Sequence, residues 1–130
     1  MVSQQSVAGI AMLLWTADPD VPHQLATPFF CAAAAAAMDK PVEIYFTARS
    51  VRLLVPGVAH TLRASPRYTK TILDAMQEAT AHGAVLLACT DALRANGIDP
   101  GNLIPECSGH GGAVQFMARV ETSDWRTLVF

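Results

Sequence analysis

Charge is what this chain has least of. Nine Lys and Arg and eleven Asp and Glu residues make up 15 % of 130 positions and leave a net charge of −2, against roughly a quarter charged in an ordinary soluble domain. The basic residues are scattered. Arg49, Arg52, Arg63, Arg67 and Lys70 form only a loose group, which reads as a solvated face or a contact for an acidic partner, so nucleic acid binding is not expected. Long apolar runs are missing too. The longest, Phe29 to Met38, stops at Asp39-Lys40, short of the roughly 18 residues a membrane span needs. No secretory leader is expected, because Met1 to Ser6 carries no basic charge and no cleavage pattern follows. Cysteine is sparse: Cys31, Cys89 and Cys107 are an odd count that builds no disulfide framework and fits a reducing cytoplasm. No Cys-x-x-Cys is present, which ranks a thiol peroxidase or reductase low. Gly109-His110-Gly111-Gly112 lacks both the Walker Lys-Ser/Thr pair and the Gly-x-Gly-x-x-Gly spacing, so neither a nucleotide nor any other cofactor is expected.

Hydrophobic residues, at 52 %, are what the chain has in excess. The length predicts one domain, residues 1–130, and the apolar surplus predicts surface buried between copies, a homo-oligomer. Alanine inflates that surplus, since Ala32 to Ala37 alone supply six residues. Val7 to Trp15 is apolar without alternation, the pattern of a central parallel strand covered on both faces. Thr27-Pro28 reads as a helix N-cap and first position, opening a helix to about Met38. Val42 to Thr47 is a second strand, Ser50 to Val55 one or two helical turns, and Val58 to Pro66 a loop. A helix is predicted over Tyr68 to His82, with Gly83 past its end and a third strand at Ala84 to Ala88. Thr90 to Asn96 reads as a short helix, Leu103 to Cys107 as an edge strand, Gly109 to Gly112 as a flexible loop. A last helix at Ala113 to Val120 places Val114, Met117 and Ala118 on one face, and a strand at Trp125 to Phe130 follows. The alternation means a parallel sheet with helices on both faces.

In such sheets ligands gather at the carboxyl ends of the strands. Trp15 with Thr16, Thr47 with Ala48, Cys89, and the segment from Cys107 to Gly112 are the strand-end candidates. Cys89 stands between an apolar strand and a helix. The partial positive charge and free N–H groups of a helix start favour a thiolate, the nucleophilic form of cysteine. The backbone N–H groups of Thr90, Asp91 and Ala92 are the expected anion-stabilising groups. The Asp91 carboxylate opposes them unless it points away. Cys107 and His110 make a Cys-x-x-His half-site with no second half among His23, His60 and His82, so no metal is expected. Cys107 reads as a structural cysteine or an auxiliary thiol, and His110 and His23 as loop residues or proton donors. Cys31, among alanines in the first helix, reads as core.

The order of these segments resembles the DsrE/DsrF-like sulfur-relay family. The residues that carry the likeness are the first strand with its Asp/Pro loop, the Ala-rich helix, Pro41-Val42-Glu43-Ile44-Tyr45-Phe46 and Ser50 to Gly57. Leu87-Ala88-Cys89 with Ala92-Leu93 and Gly97-Ile98, Leu103-Ile104-Pro105 and the closing strand complete it. The resemblance implies a three-layer α/β/α sandwich with a mainly parallel five-stranded sheet, and assembly into oligomers. It implies that the cysteine at position 89 carries sulfur as a persulfide, with sulfur-carrier proteins or small persulfides as partners. The competing expectation is a non-catalytic oligomeric module that binds a small ligand or a partner protein in a strand-end pocket under Trp15, with Cys89 merely buried.

Overall fold

The computed structural model describes residues 7–130; the reading of Met1 to Ser6 as no secretory leader falls outside them. Five strands, β1 (Gly9–Leu14), β2 (Val42–Phe46), β3 (Val85–Ala88), β4 (Cys107–His110) and β5 (Trp125–Val129), form one sheet in the order β4-β3-β2-β1-β5. Every neighbouring pair is parallel. Helices α1 (Ala26–Ala37), α2 (Ile72–Ala81), α3 (Thr90–Ala95) and α4 (Ala113–Glu121) connect them. The sandwich predicted from the alternation of segments is present, with every strand parallel.

Because side chains alternate along a strand, the in-register triplets Met12–Ile44–Leu86 and Leu14–Phe46–Ala88 line one face and Ala11 and Tyr45 the other. The first face is buried under α1, α2 and α3 in one core that includes Phe29, Met76 and Leu93. Phe29 stacks on Phe46, with ring centroids 6.1 Å apart. The second face is covered by α4, which sends Phe116 edge-on to Tyr45 at 5.6 Å. Right-handed crossovers explain this division. From β1 to β4 the chain steps across the sheet in one direction, so its helices fall on one side. From β4 it returns past β1 to β5, and α4 must fall on the other.

Several boundaries differ from the sequence reading. A 3₁₀ turn, Pro22–Gln24, leads into α1, and its N-cap is Leu25 with no side-chain cap; Thr27 and Pro28 lie inside the first turn. Proline is tolerated there because first-turn N–H groups have no intrahelical acceptor. Cys31 is exposed rather than core, since α1 packs through Phe29, Ala32, Ala33 and Ala36. Helix α2 starts late because Thr71 and Asp74 close a capping box: the Asp74 N–H donates to Thr71 Oγ1 at 3.1 Å and the Thr71 N–H to Asp74 Oδ2 at 2.9 Å. The helical turns around Ser50 are 3₁₀, Ala48–Leu54. The fully buried Ser50 hydroxyl lies 2.9 Å from the Leu14 carbonyl and 2.6 Å from that of Thr47.

The fourth strand is the largest displacement. It begins at Cys107, where the predicted strand ends, and takes in Gly109 and His110, read as a flexible loop. Leu103 and Ile104 are apolar for another reason: Ile104 is buried in the main core, and its N–H donates to the Leu54 carbonyl at 2.9 Å. Pro105 has no N–H to give a ladder. The apolar residues Val114 and Met117 of α4 face outward, 86 % and 52 % exposed, while Phe116 is the buried one.

Candidate functional site

The crossovers place a topological switch at the carboxyl ends of β3 and β4. The chain leaves β3 toward α3 on one face and leaves β4 toward α4 on the other. Diverging connections of this kind mark the crevice position at which ligands usually bind in an open α/β sheet. Cys89 occupies it. Its N–H donates to the Phe46 carbonyl of β2 at 2.9 Å, and its carbonyl accepts from Leu93 at 3.0 Å. The residue is the N-cap of α3 in extended conformation, its sulfur accepts no hydrogen bond from a first-turn N–H, and it is half-buried. Thr90, Asp91 and Ala92 form the first turn of α3. Asp91 turns away: its side chain is 89 % exposed and lies 3.5 Å from Arg94.

The other wall of the crevice is glycine. The Gly111 N–H donates to the Ala88 carbonyl at 3.0 Å, which ties the end of β4 to β3 one residue before Cys89. Gly112 is the N-cap of α4, and a Cβ built on it would lie 3.8 Å from Cys89 Sγ. The sulfur therefore sits between the starts of two helices. Gln115 Oε1 accepts from the Gly112 N–H at 3.0 Å, half of a capping box; glycine has no side chain to return the other half. Gly111 is buried with no room for a Cβ, which would meet Tyr45 Cε1 at 2.9 Å, Gln115 Oε1 at 3.0 Å and Leu87 Cβ at 3.1 Å. Gly111→Ala is expected to destabilise by about 1–3 kcal/mol, the range for overpacking. A melting temperature equal to wild type would show that α4 yields without cost.

Cys107 and His23 do not lie at the thiol, whereas His110 is the register partner of Ala88, one residue before Cys89. Cys107 is the register partner of Leu86, and Cys89 lies three residues further along the chain, just past β3. Their Cα atoms are therefore on the order of 10 Å apart, beyond the roughly 7 Å a disulfide spans. The Cys107 thiol donates to the Gly109 carbonyl at 3.5 Å. Burial pushes its pKa up, against backbone hydrogen bonds that lower it, so the neutral thiol is favoured. His110, the last residue of β4, is exposed beside a groove shared with Pro105 and Cys107. His23 is exposed beside Thr61 and Pro66. Among the described residues no group of three His, Cys, Asp or Glu side chains is placed to hold a metal ion. Trp15 and Thr16 are exposed at the same sheet edge, Trp15 by 60 %, and both donate N–H to the Phe130 carbonyl. They follow the end of β1, which lies two strands from β3, roughly 10 Å across the sheet.

Sequence reasoning missed two features. One is the Gly111-Gly112 wall, whose signal was a glycine pair directly ahead of a helix. The other is an ionic cluster under α4, signalled by a single charge, Glu43, inside an apolar strand. Arg119 Nε and Nη2 donate to the two Glu43 oxygens at 2.8 and 2.9 Å. Its guanidinium lies 3.8 Å over the Trp125 ring, and the Tyr45 hydroxyl donates to Glu43 at 2.8 Å. The Arg119 hydrogen bond leads in lowering the Glu43 pKa, and burial leads in pushing Tyr45 up to about 12, keeping its phenol a donor. A carboxylate whose folded pKa is depressed stabilises the fold above its unfolded pKa, roughly 4.3. That contribution is lost as pH falls through the lower folded value. Melting temperature is therefore expected to drop between pH 5 and pH 3 by more in wild type than in Glu43→Gln; equal drops would remove Glu43 as a cause.

Among the described residues, no helix is long and apolar enough to cross a membrane. Three solved structures share the fold. YchN of E. coli superposes with a TM-score of 0.72 at 16 % identity, over 94 % of this chain and 99 % of that one. MTH1491 of Methanobacterium thermoautotrophicum, a protein of unknown function, gives 0.64 at 18 % identity, over 93 % and 97 %. BT1422 of Bacteroides thetaiotaomicron, a conserved protein of unknown function, gives 0.61 at 15 %, over 98 % and 100 %. No curated protein matches by sequence. The DsrE/DsrF-like family model matches residues 10–128, which takes in all five strands apart from the two end residues Gly9 and Val129. The chain belongs to the DsrE/DsrF-like family.

Proposed function

We propose that this protein is a sulfur relay that carries sulfane sulfur as a persulfide on Cys89. The supporting observation is a half-buried, unbonded thiol at the switch crevice, between the starts of α3 and α4. The chemistry is two displacements. The Cys89 thiolate attacks the outer sulfur of a donor persulfide, R–S–SH. The Cys89 S–S bond forms, the donor S–S bond breaks, and R–S⁻ leaves with the electron pair, the proton remaining on the transferred sulfur. An acceptor thiolate then attacks that outer sulfur, takes it with its proton, and releases Cys89 as thiolate. Each exchange conserves redox state, so neither step needs an oxidant or a cofactor. The partial positive charge at the starts of the flanking helices, without a direct N–H bond to the sulfur, favours the anion present before loading and after transfer. The chemistry requires a reducing compartment such as the cytoplasm, where a lone thiol persists.

The partners on this reading are sulfur-carrier proteins or small persulfides, and a second copy of this chain. Val114, Met117 and Val120 on the outer side of α4 are the apolar surface that self-association would cover. Incubation with a small-molecule persulfide is expected to add the mass of one sulfur, mapped to the peptide bearing Cys89. The absence of any gain would discard the relay. It would leave the binding-module reading, in which all three thiols react slowly and only in alkali.

A further inference from the structure

Helix α4 is lightly attached. Among its nine residues only Phe116 is buried. A groove of about 360 Å³ separates its flank, at Gln115, Ala118 and Thr122, from Val85 and Leu87 of β3. At its N-terminal end the Gly111–Ala88 hydrogen bond acts as a pivot. Further along, the Arg119 fork on Glu43 and its stacking on Trp125 fasten it to β2 and β5. Trp125 in turn lies flat against Gly9, where a Cβ would meet its ring at 2.5 Å, so the ring is held against the β1 backbone. Arg119 lies seven positions after Gly112, roughly 10 Å along a rigid helix.

We infer that Glu43, Arg119 and Trp125 are positioning residues for the Cys89 thiol, setting the tilt of α4 and so the approach of its first turn to the sulfur. The inference rests on the reading that Cys89 is the reactive group. None of the three touches the sulfur; they act through α4, whose N-cap Gly112 lies so close that a Cβ built on it would come within 3.8 Å of Cys89 Sγ. Loss of the fork leaves Phe116 and the Gly111 pivot to hold α4, and the helix start no longer faces the thiolate in one orientation. The charge–dipole support of a helix start is modest, so the expected effect on thiolate reactivity is a few-fold change with the fold retained.

The test uses the full chain carrying Cys31→Ser and Cys107→Ser, so that Cys89 is the sole thiol. Its alkylation by iodoacetamide, a neutral probe, is followed from pH 5 to pH 10. Arg119→Met is expected to slow alkylation at neutral pH on the order of threefold and to move the midpoint of the profile upward. Arg119→Lys, which keeps the charge beside Glu43, is expected to fall between Arg119→Met and the parent. Glu43→Gln, which keeps the shape of the pair, serves in place of Arg119→Met should that variant not fold. A folded Arg119→Met or Glu43→Gln whose profile overlays a reactive parent overturns the positioning role and leaves the relay standing. A parent inert at neutral pH overturns both.

Discussion

Cys89→Ser is expected to abolish sulfur loading while leaving the protein as stable as wild type, or slightly more so. Oxygen in place of sulfur removes the nucleophile, since a serine hydroxyl beside no general base does not attack a persulfide. Neither remaining thiol offers a second route. Cys31 is exposed on the outer side of α1, away from the switch crevice, and burial holds Cys107 in its neutral form about three residues down the sheet. The backbone that frames position 89 does not depend on sulfur, because both of its hydrogen bonds are made by the N–H and the carbonyl. Position 89 is the N-cap of α3 and makes no side-chain cap. Serine is a preferred N-cap, and its oxygen accepts from the first turn, a gain of up to about 1 kcal/mol. Loss of loading with an unchanged or raised melting temperature therefore separates chemistry from folding. Mass spectrometry of this variant and of Cys31→Ser/Cys107→Ser checks it: the first stays unloaded and the second loads fully. Equal loading of Cys89→Ser and wild type would falsify the assignment.

The position of Cys89 was legible in the sequence because the residues that dictate it are local. An apolar run without alternation, a polar residue that starts a helix, and Gly97 after it define a strand-to-helix junction with no reference to the rest of the chain. What surrounds the sulfur was not legible, because it is set by topology. Gly111-Gly112 reads as a flexible loop until β4 is shifted onto Cys107–His110; the glycines then become the far wall of the crevice. The shift itself came from misreading Leu103-Ile104, whose apolar character serves packing on the 3₁₀ turn rather than a ladder. The outward face of α4 is a similar case. Its apolar residues follow helical spacing, yet Phe116 and Arg119 face the sheet, and periodicity alone does not say which side is inward. Cys31 shows the limit at single-residue scale: in a helix rich in alanine the hydrophobic pattern is nearly featureless, so the buried side is chosen by Phe29 and not by the cysteine.

Phe46→Ala is the stability change expected to be largest, and it couples the core to the site. Phe46 is fully buried at the last position of β2, stacked on Phe29 of α1, in register with Leu14 of β1 and Ala88 of β3. Truncation removes one ring of that stack and leaves a cavity between the sheet and α1, a cost of about 3–5 kcal/mol. A domain of this size has only about 5–15 kcal/mol in total, so the melting temperature is expected to fall by roughly 10–20 °C. The neighbours cannot refill the space, because the residue beside it on β3 is Ala88 and the face of α1 above it is alanine at positions 32, 33 and 36. The same residue's carbonyl accepts the Cys89 N–H at 2.9 Å. The end of β2 therefore fixes one side of the thiol's backbone as Gly111 fixes the end of β4 on the other. Collapse around the cavity should loosen the crevice before the sheet unfolds. Below the lowered melting temperature, Cys89 in Phe46→Ala is expected to lose its selectivity for alkylation near neutral pH, with hydrogen exchange rising at the Cys89 amide. A variant that melts like wild type would mean that the aromatic stack carries little of the core. One that melts early yet keeps the wild-type thiol profile would mean that the crevice is held by α4 and β4 alone.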